Sequence, residues 1–373
     1  MSQIKIMHVI DTGGPGGAES VFLNIVSGLD KSKFQSIPVI PYKDWLYNKL
    51  EEKNHKPIII DSKGSFNIQY LYQMLKVARE NKVDIIHSHL FGSNVYSCLL
   101  SALTRIPVIT TFHGFVDLSN RSMIYKIKIL IINRLANAIT YVSEQLKNHY
   151  ISKEGFNSSK SLVIYNGITK SNKIVKTGFN LKERLGIPAD SIIIGSVGNI
   201  RPAKGYDTLL KAAEITRKYR TDIKYIIIGG ASSDIMEEME NKKNDMELNE
   251  TVYFLGFIDN PEKYYSNFDI FLLPSHSEGF SLSLVEAISN KLPIIATNSG
   301  GPKEIFHLLN MKGLVSPNSP IELADHILQN VEIDKLSLLK QQSAEASNLL
   351  GDYFSIDRMV QEYTKLYLSH IIR

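Results

Sequence analysis

The 373-residue sequence predicts an α/β protein made of two doubly wound, Rossmann-like domains of parallel sheet. Three observations carry that prediction. Short β-branched runs alternate with longer segments of helical spacing along nearly the whole chain. The alternation pauses once, over a polar, lysine-rich stretch at 167–180, and then restarts. The length also suits two domains at roughly 150 residues each.

The first series places strands at 4–10, 36–40, 57–60, 84–87, 108–111, 138–142 and 161–164, with helices at 18–29 and 68–81. The second places strands at 192–197, 225–228, 252–255, 270–273, 293–296 and 313–315, with helices at 207–219, 282–289 and 321–330. Such an alternation is that of a parallel, doubly wound sheet, whose buried strands need not alternate polar and apolar. Met359, Val360, Tyr363, Leu366 and Tyr367 recur at helical spacing and predict a docked helix over 356–372. The expected domains are therefore 1–170 and 171–355, with 356–373 packing back on the first. Two such domains imply a cleft, with ligands beyond the carboxyl ends of the strands.

Composition narrows the function. Apolar residues make up 43% and charged residues 21%, which excludes a largely disordered chain. Forty-two basic against 38 acidic residues leave a formal +4, too weak a surplus to mark a nucleic-acid binder. The lone Cys98 excludes an internal disulfide and a cysteine-rich zinc site, and fits a reducing compartment. No leader pattern opens the chain, and no stretch reaches the roughly 18–20 apolar residues that span a bilayer. A cytoplasmic location is expected. The basic, apolar segment 121–137 has two readings, a helix resting on the inner face of an anionic membrane or a buried helix with Lys126, Lys128 and Arg134 at its edges.

The strand-end loops hold the chemistry. The first strand runs into Gly13-Gly14-Pro15-Gly16-Gly17, which reads either as a tight turn or as glycines facing a phosphate or sugar. His87, His89 and His113 close two later strands, where histidine can be a base, a donor, a metal ligand or a satisfied buried side chain. His113, followed by glycine at a loop mouth, is the functional candidate. In the second half, Arg201 and Lys204-Gly205 follow a strand and suit a diphosphate, with a solvated basic loop as the alternative. The run 274–287 holds Glu278 and Glu286. On one helix they would lie about 12 Å apart along the axis and roughly 80° out of phase. Gly279 and Ser281 instead place Glu278 in a loop, with a helix opening near Ser281. Carboxylates so placed are acceptors for vicinal hydroxyls.

In their order and spacing these elements resemble glycosyltransferase family 4 (group 1), with the GT-B fold, over nearly the whole chain. The match is carried by GGAE at 16–19, Asp84–His89, Val142-Ser143-Glu144, Asn166-Gly167, Lys204-Gly205, Glu278 and Glu286 within PSHSEGFSLSLVEA, and GGPKE at 300–304. The resemblance implies a retaining transferase that moves a sugar from a nucleotide-sugar donor to a hydroxyl on a glycan or lipid-linked acceptor, in bacterial cell-surface polysaccharide or glycolipid synthesis. It implies UDP-sugar ahead of GDP-sugar as donor, and no metal or other cofactor. By the same resemblance, His113, Glu278, Arg201 and Lys204 are catalytic. Gly16, Gly17, Arg201, Lys204, Glu278, Gly279, Phe280, Ser281 and Glu286 bind the donor, Glu286 through its ribose. One departure stands out: Asn199 occupies the position where many relatives carry an arginine. A nucleotide-sugar epimerase of the same fold and a non-catalytic nucleotide-sugar-binding subunit are the rival readings.

Overall fold

The computed structural model describes residues 3–63, 67–115, 123–169 and 179–371, and divides into two compact units. Residues 1–167 and 354–373 form the first, and 168–353 the second. Positions 121–122 of the basic segment, 170–178 of the connecting stretch and 372–373 of the terminal helix lie outside the described residues.

The first unit is a seven-stranded parallel sheet of β1 (Ile4–Ile10), β2 (Phe34–Ile40), β3 (Ile58–Ile59), β4 (Ile85–His89), β5 (Val108–Phe112), β6 (Ala138–Tyr141) and β7 (Ser161–Val163). Its order is β3-β2-β1-β4-β5-β6-β7. The second holds six parallel strands, β8 (Ile192–Val197), β9 (Ile223–Ile228), β10 (Val252–Phe254), β11 (Ile270–Leu273), β12 (Ile294–Thr297) and β13 (Leu314–Val315), in the order β10-β9-β8-β11-β12-β13. Each sheet winds outward from its first strand and then reverses. The reversal lies between β1 and β4 in one unit and between β8 and β11 in the other. Crevices at such switch points are where open parallel sheets bind ligands.

Helices cover the apolar strand residues of each sheet. Ile10, Phe22, Leu23, Val26, Ile40, Leu46 and Leu50 form one buried cluster of the first unit. In the second, Leu209, Leu210 and Ala213 of the helix Tyr206–Arg217 share a buried cluster with Ile223, Tyr225, Ile227 and Leu272 of the sheet. Leu323 and Ile327 of the helix Pro320–Asn330 complete it.

The terminal helix Ile356–His370 belongs to the first unit and buries Met359, Val360, Tyr363 and Tyr367. It packs on the helix Gly17–Gly28, where a Cβ on Gly28 would stand 2.8 Å from Val360 Cγ2. Gly167 is equally constrained, since a Cβ there would collide with the Ser355 carbonyl group. The helix Ile333–Phe354, 22 residues long, has no counterpart in the sequence prediction. Its buried residues include Ser343, Ala346, Ser347, Leu350 and Phe354, a helical stripe whose small and polar members hide it from a hydropathy reading.

Candidate active site

In the second unit the loops after β8 and β11 flank the switch point. After β8 the chain passes Arg201, makes a short 3-10 turn at Pro202–Lys204 and enters the helix Tyr206–Arg217 through Gly205. Gly205 has φ +67°, and a Cβ there would run into the Pro274 carbonyl oxygen, so this turn accepts only glycine without a shift. The amides of His276 and Ser277 both donate to the Ala203 carbonyl, at 2.8 and 3.2 Å, which ties the two loops together.

That tie delivers Lys204 to Glu278. Lys204 Nζ donates to Glu278 Oε1 at 2.6 Å, and Ser275 Oγ donates to the same oxygen at 2.7 Å. The pair is mostly buried, with side-chain exposures of 24% and 9%. The Glu278 backbone is held as well: its amide donates to Ser299 O at 2.7 Å, and the Gly301 amide donates to its carbonyl at 2.9 Å. Gly301 has to be small, because a Cβ would lie 2.5 Å from Phe280 Cα.

The helix Leu282–Ser289 opens directly behind, with Ser281 at its start in a left-handed conformation, φ 98°. Such a backbone costs on the order of 1–3 kcal/mol and persists where the surroundings hold it. No side chain caps this helix start. Glu286 lies one turn on, half-buried, and accepts from the Tyr265 hydroxyl at 2.8 Å. Burial raises its carboxyl above the ordinary range, the Tyr265 bond opposes that, and Glu262 adds to it. Arg201 stands exposed, with no ion pair among the described residues. The structure thus joins Lys204 to Glu278 and sets Gly279, Phe280 and Ser281 between Glu278 and the helix. Glu286 is bonded to Tyr265 instead. Ser275 and Tyr265 are partners that sequence reading misses. Ser275 at least lies inside the 274–287 run, whereas Tyr265 carries no local signal.

In the first unit Gly16 is the extended residue before the helix Gly17–Gly28, and its Cβ position is taken by the Glu19 carboxylate. Asp11 accepts from the Ser93 amide at 2.9 Å, and burial raises its carboxyl. His8 pairs with His87 in register, and His89 with Thr111, so His8, His87, His89, Thr111 and His113 share one sheet face. His87 is satisfied on both sides, by Tyr367 at 2.7 Å and Thr111 at 2.8 Å. His113 Nε2 meets His89 Nδ1 at 2.9 Å, and burial lowers the His113 pKa to about 3. Nitrogens of His8, His87 and His89 lie within 4.8 Å of one another, the spacing of a metal candidate. A metal there would have to displace Tyr367 or Thr111 from His87.

Two family models match this chain. Glycosyltransferase Family 4 matches residues 15–171, and Glycosyl transferases group 1 matches 179–347, together well over half the sequence. The chain belongs to these glycosyltransferases. The O-antigen biosynthesis glycosyltransferase WclY of Escherichia coli is 26% identical over 98% of both chains. The E. coli UDP-Gal:alpha-D-GlcNAc-diphosphoundecaprenol alpha-1,3-galactosyltransferase is 24% identical, over all of this chain and 98% of that one. Among solved structures, Anabaena Alr3699/HepE in complex with UDP-glucose superposes with a TM-score of 0.86 at 20% identity, over 98% of this chain and 100% of that one. The two parallel-sheet units of this glycosyltransferase are those of the GT-B fold.

Outside the sites, the glycosyltransferase carries an apolar surface stripe. The helix Met123–Leu135 buries Tyr125, Ile129 and Ile132 but leaves Met123, Ile127 and Leu130 exposed at helical spacing, in line with exposed Arg134. Ile124 and Lys126 flank that stripe, both exposed. Among the described residues no helix is long and apolar enough to cross a membrane.

Proposed function

We propose that this glycosyltransferase moves a sugar from a nucleotide-sugar donor, with retention, to a hydroxyl of a glycan or lipid-linked acceptor in bacterial cell-surface glycan synthesis. UDP-sugar is proposed ahead of GDP-sugar, and no metal is required. The observation that carries the reading is the Lys204–Glu278 pair, held by Ser275 beside a strand-end switch point. A departing nucleoside diphosphate develops negative charge, and fixed cations in a partly dry site stabilise it strongly. Lys204 and Arg201 take that role, aided by the helix start after Phe280 and Ser281. Glu278 accepts from sugar hydroxyls and Glu286 from ribose hydroxyls, Gly16 and Gly17 face the donor phosphates, and His113 serves the transferred sugar. The names of the WclY and galactosyltransferase relatives support the surface-glycan setting.

Thermal-shift screening against UDP-, GDP- and ADP-sugars, followed by incubation with and without acceptor, tests the reading. Product from donor alone would mark an epimerase, and binding without turnover a binding subunit. Glu286→Gln sharpens the test. It keeps an acceptor for the Tyr265 hydroxyl, so stability should change little, while donor affinity falls by about ten- to a hundredfold. Unaltered affinity for every nucleotide sugar would sink the ribose assignment.

The exposed stripe of Met123, Ile127 and Leu130, with Lys126 and Arg134 beside it, supports contact with an anionic bilayer. A lipid-linked acceptor, as in the name of the galactosyltransferase relative, would be met there. Cosedimentation with vesicles of phosphatidylcholine and phosphatidylglycerol should show binding that Ile127→Glu with Leu130→Glu lowers at least about tenfold. Equal binding of both proteins would reject this surface.

A further inference from the structure

We propose that His89 is a positioning residue that fixes His113 as its Nδ1–H tautomer, so that His113 meets its ligand as a hydrogen-bond donor. This rests on the proposed role of His113 toward the transferred sugar. The two rings meet edge to edge, near-parallel at 23° with centroids 5.1 Å apart, and a single hydrogen bond of 2.9 Å joins His89 Nδ1 to His113 Nε2. Only one of those nitrogens can carry the proton.

The other two nitrogens decide which. His89 Nε2 and His113 Nδ1 are both buried without a partner. If His113 donated, His89 would hold its proton on Nε2, deep in the sheet face between His87 and Phe22. Either arrangement leaves one orphan N–H and one orphan lone pair, and the N–H is the harder to sustain, so what decides is which of the two sites a ligand can reach. The opposite arrangement leaves only a bare lone pair on His89. It also moves the orphan N–H to His113 Nδ1, on a half-buried residue at a strand end. An arriving hydroxyl or ether oxygen satisfies it there.

The rest of the cluster holds His89 in place. His87 packs against it with centroids 4.2 Å apart and is itself tied to Tyr367 and Thr111. The Phe22 ring, near-perpendicular to His89 with centroids 5.3 Å apart, packs against it as well. A His113 that donates and stays neutral orients an oxygen and does not abstract the acceptor's proton.

Imidazole ¹⁵N NMR of the labelled protein tests this without any sugar. The His113 signals, assigned by their loss in His113→Gln, should report Nδ1–H in the native chain. In His89→Phe, which removes the donor, they should revert to Nε2–H. His89→Asn, whose amide can reach the Nδ1 position, should restore the Nδ1–H form. In turnover assays His89→Phe should lower kcat about tenfold or more with a smaller change in KM, and His89→Asn should recover most of that loss. An Nε2–H signal for His113 in the native chain, or indistinguishable Phe and Asn variants, would overturn the proposal. The expected tautomers with no change in kcat would instead count against the sugar-directed role of His113.

Discussion

Lys204→Ala lowers turnover by about two to three orders of magnitude, the size of effect seen when one preorganised donor to a developing negative charge is removed. Lys204 is delivered by the Pro202–Lys204 turn and is mostly buried, so solvent cannot take over its role. The same substitution leaves Glu278 as a buried carboxylate with Ser275 as its remaining partner, which costs stability on the order of 1–3 kcal/mol. The two effects separate in the double variant Lys204→Ala with Glu278→Gln. Removing the charge of both partners should restore most of the lost stability, while turnover stays low. Steady-state kinetics with the preferred donor, alongside thermal unfolding, reads both. Turnover within about threefold of the native enzyme would remove Lys204 from the diphosphate.

Most strands are legible in the sequence because they carry short β-branched runs bounded by turn residues, such as Ile192-Ile193-Ile194 of β8 and Ile226-Ile227-Ile228 of β9. Lys204 and Glu278 are legible because each lies in a loop whose glycines mark a close backbone approach. Partners joined by topology are not. Tyr367 bonds His87 from 280 positions away, and nothing local to either residue predicts it. His8 reads as one residue of an apolar strand until the parallel register sets it beside His87. The helix Ile333–Phe354 escapes for a different reason, since Ser343 and Ser347 bury polar atoms where the periodicity test looks for apolar ones.

Acid should destabilise the first unit well before its carboxylates titrate. Burial lowers the pKa of His8 and His113 to about 3, and holds His87 and His89 well below the ordinary 6.5. The unfolded chain protonates these imidazoles below about pH 6.5, while the native unit leaves them neutral. Their contribution is therefore complete above about pH 6.5 and is lost as the pH falls from there toward about 3. At pH 5 the gap is about 1.5 units, so His8 and His113 each account for about 2 kcal/mol, a large share of a typical domain's 5–15. Asp11 has the opposite sign, because its raised carboxyl takes up a proton earlier in the native state, and it offsets part of the loss near its own range. The melting temperature of this unit should fall by about 10 °C between pH 7.5 and 5. His8→Leu isolates the cause. Both ring nitrogens of His8 are buried without a partner, so leucine removes a desolvated polar group and one of the titrating sites together. The variant should match or exceed native stability at about pH 7.5 and lose about 2 kcal/mol less on acidification. Parallel curves of melting temperature against pH for the two proteins would contradict this origin. Because His113 stays neutral throughout, kcat should not follow an imidazole titration between about pH 6 and 8.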